Sequence, residues 1–200
     1  MRKGSRKEMN STKKRKWTLA FYDMASADFT KRARVTRELK KQGAAMHSQS
    51  VYCVPYTASS FRQLRDIDKS VCVVKADVPE ENVKELVSAY DAFIGKLFIE
   101  IKKKIEELED AKVSVMDGDP SSKRGYSKRM NKMYERLDYL SYVISLREQL
   151  SKKEAKKLMA QVEEIKTHVN LIEYAPPGTL IDWENALVRE INKNNKKENN

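Results

Sequence analysis

An α+β fold is predicted by three observations along the chain. Residues 17–22 (WTLAFY) concentrate β-forming side chains and stop at Asp23, as a central strand running into a loop would. Residues 30–42 switch to helical spacing and end at Gly43. Past residue 80, apolar residues recur at three- and four-residue steps for most of the remaining chain. With 200 residues, 40% hydrophobic and 34% charged, the composition is globular and allows one full domain plus a substantial appendage.

The helix over 30–42 carries Ala33, Val35, Thr36 and Leu39 toward a core, and Gly43 stands where a left-handed C-cap belongs. Residues 44–55 (AAMHSQSVYCVP) read as a second extended segment, and 56–69 as a polar stretch holding one short helix through Phe61, Leu64 and Ile67. Residues 70–78 form a third strand. Pro79 with Glu80 and Glu81 opens a long helix, because proline suits the first turn and acids suit the positive end of the helix dipole. Its apolar series Val83, Leu86, Tyr90, Phe93, Leu97, Ile101, Ile105 and Leu108 continues for nearly thirty residues, and residues 112–116 (KVSVM) supply a last strand. After a loop over 117–125 comes a helical hairpin. Its first helix is marked by Tyr126, Met130, Met133, Leu137, Leu140 and Ile144, and its second by Ala155, Leu158, Val162, Ile165 and Val169. Ser151 with Glu154 makes a capping box between them, stapled by Leu150 and Ala155. Pro176-Pro-Gly178 breaks the chain, and a short helix over 182–191 follows.

The order strand, helix, strand, strand, long helix, strand is the βαββαβ order of a ferredoxin-like domain. The expected organisation is a disordered basic arm over 1–16, the ferredoxin-like domain over 17–116, the loop over 117–125, the hairpin with its short C-terminal helix over 126–192, and a disordered tail over 193–200. The sheet is expected to have four antiparallel strands with two helices on one face.

Charge narrows the function classes. The net charge is +11, and residues 1–16 hold eight basic residues against one acidic, a local charge of +7. A basic arm on a near-balanced body suits an anionic partner. No apolar run approaches the ~20 residues that span a bilayer, so a cytoplasmic protein without membrane insertion is expected. Cys53 and Cys72 lie in apolar runs without CxxC spacing and read as reduced core residues. With only His47 and His168 besides, no zinc site is indicated.

Four segments together have a familiar spacing: Trp17-Thr-Leu-Ala-Phe-Tyr-Asp-Met24, Lys31-Arg-Ala-Arg-Val35, Leu39-Lys-Lys-Gln-Gly43 and Gln49-Ser-Val-Tyr52. They resemble the Cas two family, the small subunit of the CRISPR spacer-integration complex. Phenylacetate-type repressors and the amino-terminal domain of chromate-resistance regulators share that domain. The similarity covers residues 17 to about 55. It implies a homodimer, and, in nuclease members, it makes the aspartate ending the first strand catalytic by pairing with its dimer mate on a divalent metal. Asp23 holds that position, as catalytic residue and as ligand of Mg2+ or Mn2+; Mg2+ needs only one or two carboxylates plus substrate phosphate. The plainer reading of Asp23 is a cap on the strand–loop junction. Asp117 and Asp119, a DxD pair, read as turn-formers.

The residues expected to touch nucleic acid are Lys31, Arg32, Arg34, Arg37 and Lys41 on the first helix, with Lys123, Arg124, Lys128 and Arg129 as a second patch. Spacing of three and four puts Arg34, Arg37 and Lys41 on one stripe that can follow phosphates. The hairpin lysines 152, 153, 156 and 157 read as a solvated face. No recognition helix, zinc finger or aromatic RNA-binding signature is present, so DNA or RNA would be held by its backbone, and binding ranks ahead of cleavage. The alternative is a regulatory or scaffold protein, like a transcriptional regulator, that docks a partner protein through the long helix and hairpin.

Overall fold

The computed structural model describes residues 15–25, 27–116 and 120–174, except the side chains of residues 114, 116 and 120–123. The described residues form an α+β architecture with one four-stranded antiparallel sheet and five helices. In chain order these are β1 (Arg15–Tyr22), α1 (Phe29–Lys41), β2 (Ala45–Ser48), β3 (Val51–Pro55), α2 (Ala58–Arg65), β4 (Val71–Val78), α3 (Glu80–Met116), α4 (Pro120–Arg147) and α5 (Lys152–Tyr174). The strand order across the sheet is β2-β3-β1-β4.

β1 is central, with Leu19 opposite Cys53 on one side and Val74 on the other. Successive side chains alternate between faces. Thr18, Ala20 and Tyr22 therefore share one face and Trp17, Leu19 and Phe21 the other. The first face carries α1: the Tyr22 hydroxyl lies 2.9 Å from Thr36 Oγ1, and the Tyr52 hydroxyl donates to the same oxygen at 3.3 Å. Burial raises the Tyr52 hydroxyl above its ordinary pKa.

Four elements differ from the sequence expectation. Residues 44–55 are two strands joined at Gln49–Ser50, with a register shift between Met46 and Ser48. The short helix therefore stands between β3 and β4 as α2, capped by Thr57 and Ser60 in a reciprocal box. Residues 112–116 are not a strand but the end of α3. β-branched Val113 and Val115 favour strands in isolation, but Ile105, Leu108 and Ala111 are buried at helical spacing, and that packing prevails over the local preference. α4 begins at Pro120, where proline's fixed φ suits the first helical position, so the loop expected to reach residue 125 is shorter. Finally, Cys53 is buried but Cys72 is exposed, because its face of β4 lies uncovered there.

The chain divides into two compact units. The first comprises the residues up to Lys96 with Tyr142–Ala155, and the second Leu97–Ser141 with Lys156 onward. In the first unit, the start of α3 and the end of α4 meet: Tyr90 Oη donates to the Val143 carbonyl at 3.1 Å, and Tyr90 packs edge-on against Trp17 at 6.2 Å. Gly43 closes α1 in a Schellman arrangement, with φ of 75°, Gly43 N donating to Lys40 O and Ala44 N to Leu39 O. In the second unit three helical segments share a core of Ile101, Leu108, Met133, Leu137, Val162 and Val169. Lys112 Nζ donates to the Glu173 carbonyl at 2.8 Å, and Tyr126 Oη to the Ile172 carbonyl at 3.3 Å. The Tyr126 bond puts the start of α4 beside the end of α5, which makes that pair antiparallel, as the hairpin pattern predicts. The Ser151 hydroxyl accepts from Glu154 N at 3.3 Å, one half of the expected capping box. No helix among the described residues is long and apolar enough to cross a membrane. Arg15 and Lys16, expected to belong to the disordered arm, instead begin β1; the rest of the arm, the Asp117–Asp119 turn, the Pro176-Pro-Gly178 break, the helix over 182–191 and the tail lie outside the described residues.

Candidate nucleic-acid interface

α1 is amphipathic for a simple reason: Val35 and Leu39 are fully buried against the sheet, which turns Lys31, Arg34, Arg37 and Lys41 to solvent. Arg32 projects from a different side of the helix and is half-buried. The structure then shows which acids meet them, Asp68 from a distant segment and Glu38 from one turn earlier on the same helix. Arg34 Nη2 donates to Asp68 Oδ2 at 2.5 Å, and Lys31 Nζ lies 3.4 Å from Asp68 Oδ1. Lys41 Nζ donates to Glu38 Oε1 at 2.8 Å. Of the stripe Arg34, Arg37 and Lys41, only Arg37 has no acidic partner among the described residues.

Asp68 belongs to the loop between α2 and β4, 34 residues beyond Arg34. Its Oδ1 also accepts from Ser70 N at 3.0 Å and from Ser70 Oγ at 2.7 Å. These hydrogen bonds, and then Lys31, hold the carboxyl well below the usual carboxylate range. Two shallow clefts border this group. One of about 630 Å3 is lined by Lys31, Arg65, Asp66, Ile67, Asp68 and Lys69, and one of about 460 Å3 by Ala27, Asp28, Thr30, Lys31 and Arg34.

α4 presents a different basic face. Met130, Met133, Leu137 and Leu140 are buried, so the opposite side points to solvent. Arg124, Lys128 and Lys132 are exposed there and Arg136 is half-buried. These four stand at four-residue intervals, ~6 Å per step and roughly 18 Å from first to last. Among the described residues none of the four has an ion-pair partner, and Glu135 is the one acid between Arg124 and Arg136. Lys132 and Arg136 were missed by sequence reasoning, although the four-residue step from Lys128 was the signal that could have found them. Arg129 leaves this row, since its Nη1 donates to the Glu107 carbonyl at 3.5 Å. Lys123 lies within α4, and its side chain falls outside the described set.

Asp23 directly follows β1 and is exposed. Its side chain has no hydrogen-bond or ion-pair partner among the described residues. Among the described residues no capping bond of the kind the plainer reading requires is formed. Nor do further donors gather around it: no group of three or more His, Cys, Asp or Glu able to hold a metal occurs among the described residues. The paired arrangement implied by the resemblance requires a second copy of the chain. His47 is exposed, and His168 Nε2 lies 2.9 Å from Glu109 Oε1, in the second unit.

In comparisons with known proteins, no family model and no curated protein matches this chain.

Proposed function

We propose that this chain binds nucleic acid by its phosphate backbone, through basic helix faces on a ferredoxin-like domain of Cas two-like type and on its added helical hairpin. The observation that carries the proposal is the α4 row of Arg124, Lys128, Lys132 and Arg136, which has no ion-pair partner among the described residues. Long cations without acidic partners are free to neutralise phosphates, and the counterions condensed on the nucleic acid that are released in exchange drive association. Spacing along a straight helix suits a regular backbone and offers no base-reading chemistry. The element order β1-α1-β2-β3-α2-β4 with sheet order β2-β3-β1-β4 supports the ferredoxin-like reading. Docking of a partner protein is the second reading, and it draws on Ile99 and Val113, exposed on α3 by 69% and 57%.

The test is titration of the purified chain against labelled duplex DNA and duplex RNA between about 50 and 200 mM salt. The expected plot of log affinity against log salt is steep. Replacing Arg124, Lys128, Lys132 and Arg136 together by alanine should make the slope shallower by about 3 to 4, since each duplex phosphate contact contributes about 0.9. A slope that stays the same, or affinity indifferent to salt, overturns the reading.

A further inference from the structure

Two of the solvent-facing α1 cations are already occupied. Lys31 and Arg34 converge on one carboxylate, that of Asp68, at 3.4 and 2.5 Å. Their own side chains stay 44% and 58% exposed, whereas that of Asp68 is only 12% exposed. The carboxylate is also anchored from behind by the backbone and hydroxyl of Ser70. A surface ion pair with two mobile partners would be of little consequence. This one has a fixed anion, and its cations open onto clefts on either side of Lys31. A guanidinium takes a carboxylate and a phosphate by the same geometry, so the two anions compete for the same donors.

We infer that Asp68 is an intramolecular competitor for phosphate, which keeps Lys31 and Arg34 out of nucleic-acid binding until a phosphate displaces it. The inference rests on the nucleic-acid reading proposed above. Its consequence is a difference between the two helices: α4 presents cations without acidic partners among the described residues, whereas α1 contributes Arg37 and Arg32 at once and Lys31 with Arg34 only by exchange. While Asp68 holds them, these two cations neutralise no phosphate and release none of the counterions condensed on the nucleic acid, so they add little to the salt dependence.

The experiment compares the full chain with Asp68→Asn and Asp66→Asn in duplex-binding titrations over a salt series. Asparagine keeps an acceptor for Ser70 and removes the charge that holds Lys31 and Arg34. Asp66 is a control because its neutralisation changes net charge equally, while its ion pair is with Arg65, at 3.7 Å, and frees nothing on α1. Asp68→Asn should bind ~3- to 10-fold tighter and steepen the salt slope by about 1.8, two contacts at 0.9 each, with Asp66→Asn changing the slope by less than about 0.5. If Asp68→Asn and Asp66→Asn give equal affinity and slope while the unsubstituted chain binds, the competitor role falls and the function stands. If the unsubstituted chain binds no nucleic acid, both fall. Should Asp68→Asn fail to fold, Lys31→Ala with Arg34→Ala in the unsubstituted background decides. The inference expects a slope loss below about one, and a loss near two would overturn it by showing those cations already on phosphate.

Discussion

Arg147 holds Asp91 through two hydrogen bonds, Nε to Oδ1 at 2.7 Å and Nη2 to Oδ2 at 3.1 Å, and so ties the last turn of α4 to α3 within the first unit. The Arg147 side chain is 7% exposed and Asp91 46%, so the cation bears most of the desolvation. Nη1 of Arg147 is buried with no hydrogen-bond partner, which leaves Asp91 as the main compensation for that charge. Asp91→Ala is expected to cost about 2–3 kcal/mol, toward the lower end for breaking a buried pair because Asp91 itself is half in water. Arg147→Met, which keeps the stem and removes the charge, should cost less than Asp91→Ala. Urea unfolding of the three proteins measures this, and equal stability of Asp91→Ala and the parent would contradict it.

Gly43 and Gly95 should respond to alanine with opposite signs. Gly43 sits at a φ of 75°, and a Cβ there would meet Leu146 Cδ1 at 2.9 Å. Left-handed backbone costs an ordinary residue about 1–2 kcal/mol, and shifting Leu146 adds to it, so Gly43→Ala should lose about 1–3 kcal/mol. Gly95 lies inside α3 with nothing within 4 Å of the added carbon. Gly95→Ala should gain about 0.5–1 kcal/mol through helix propensity. Thermal or urea melts of both variants against the parent read the two signs.

Thiol chemistry should separate Cys72 from Cys53. Cys72 is exposed, and burial pushes the Cys53 thiol up to about 12. At pH 8 one equivalent of a thiol reagent should react rapidly in the folded chain, mapped by mass spectrometry to Cys72, and two in denaturant. A folded pKa above the unfolded one means that the contribution of Cys53 to stability is complete below the unfolded thiol value near 9. It is lost progressively as pH rises from there toward about 12. Cys53→Ala should remove that alkaline component from the pH–stability curve.

Asp23→Asn should leave stability within about 0.5 kcal/mol of the parent, since the side chain is exposed and has no partner among the described residues. It should abolish any cleavage that depends on Mg2+ or Mn2+ while duplex binding stays the same or tightens slightly, because a negative charge near phosphate is gone. Gel assays of DNA and RNA substrates with metal-loaded protein test this. Undiminished cleavage by the variant would remove Asp23 from any catalytic role.

Local patterns made much of the architecture legible. The run WTLAFY is a strand because its β-formers alternate across a pleat, and Gly43 caps α1 because only glycine enters that conformation without cost. The Tyr126–Ile144 and Ala155–Val169 stripes are buried helical faces because their spacing closes on one side. Residues 112–116 were illegible: KVSVM has strand propensity, and it is helical because it continues a helix whose Ile105, Leu108 and Ala111 are buried just before it. The same division runs through the basic surface. Which residues of α1 face water follows from Val35 and Leu39, as does their spacing along the helix. That Arg34 is already paired does not, because Asp68 meets it across 34 residues of chain, and a contact between a helix and a distant loop leaves no periodic trace in either segment. Helical period and β-alternation are written in neighbouring residues and were settled by the sequence itself; the charge balance of α1, the covering of Cys53 and the uncovering of Cys72 were decided by tertiary structure, because each depends on which distant segment the fold brings alongside.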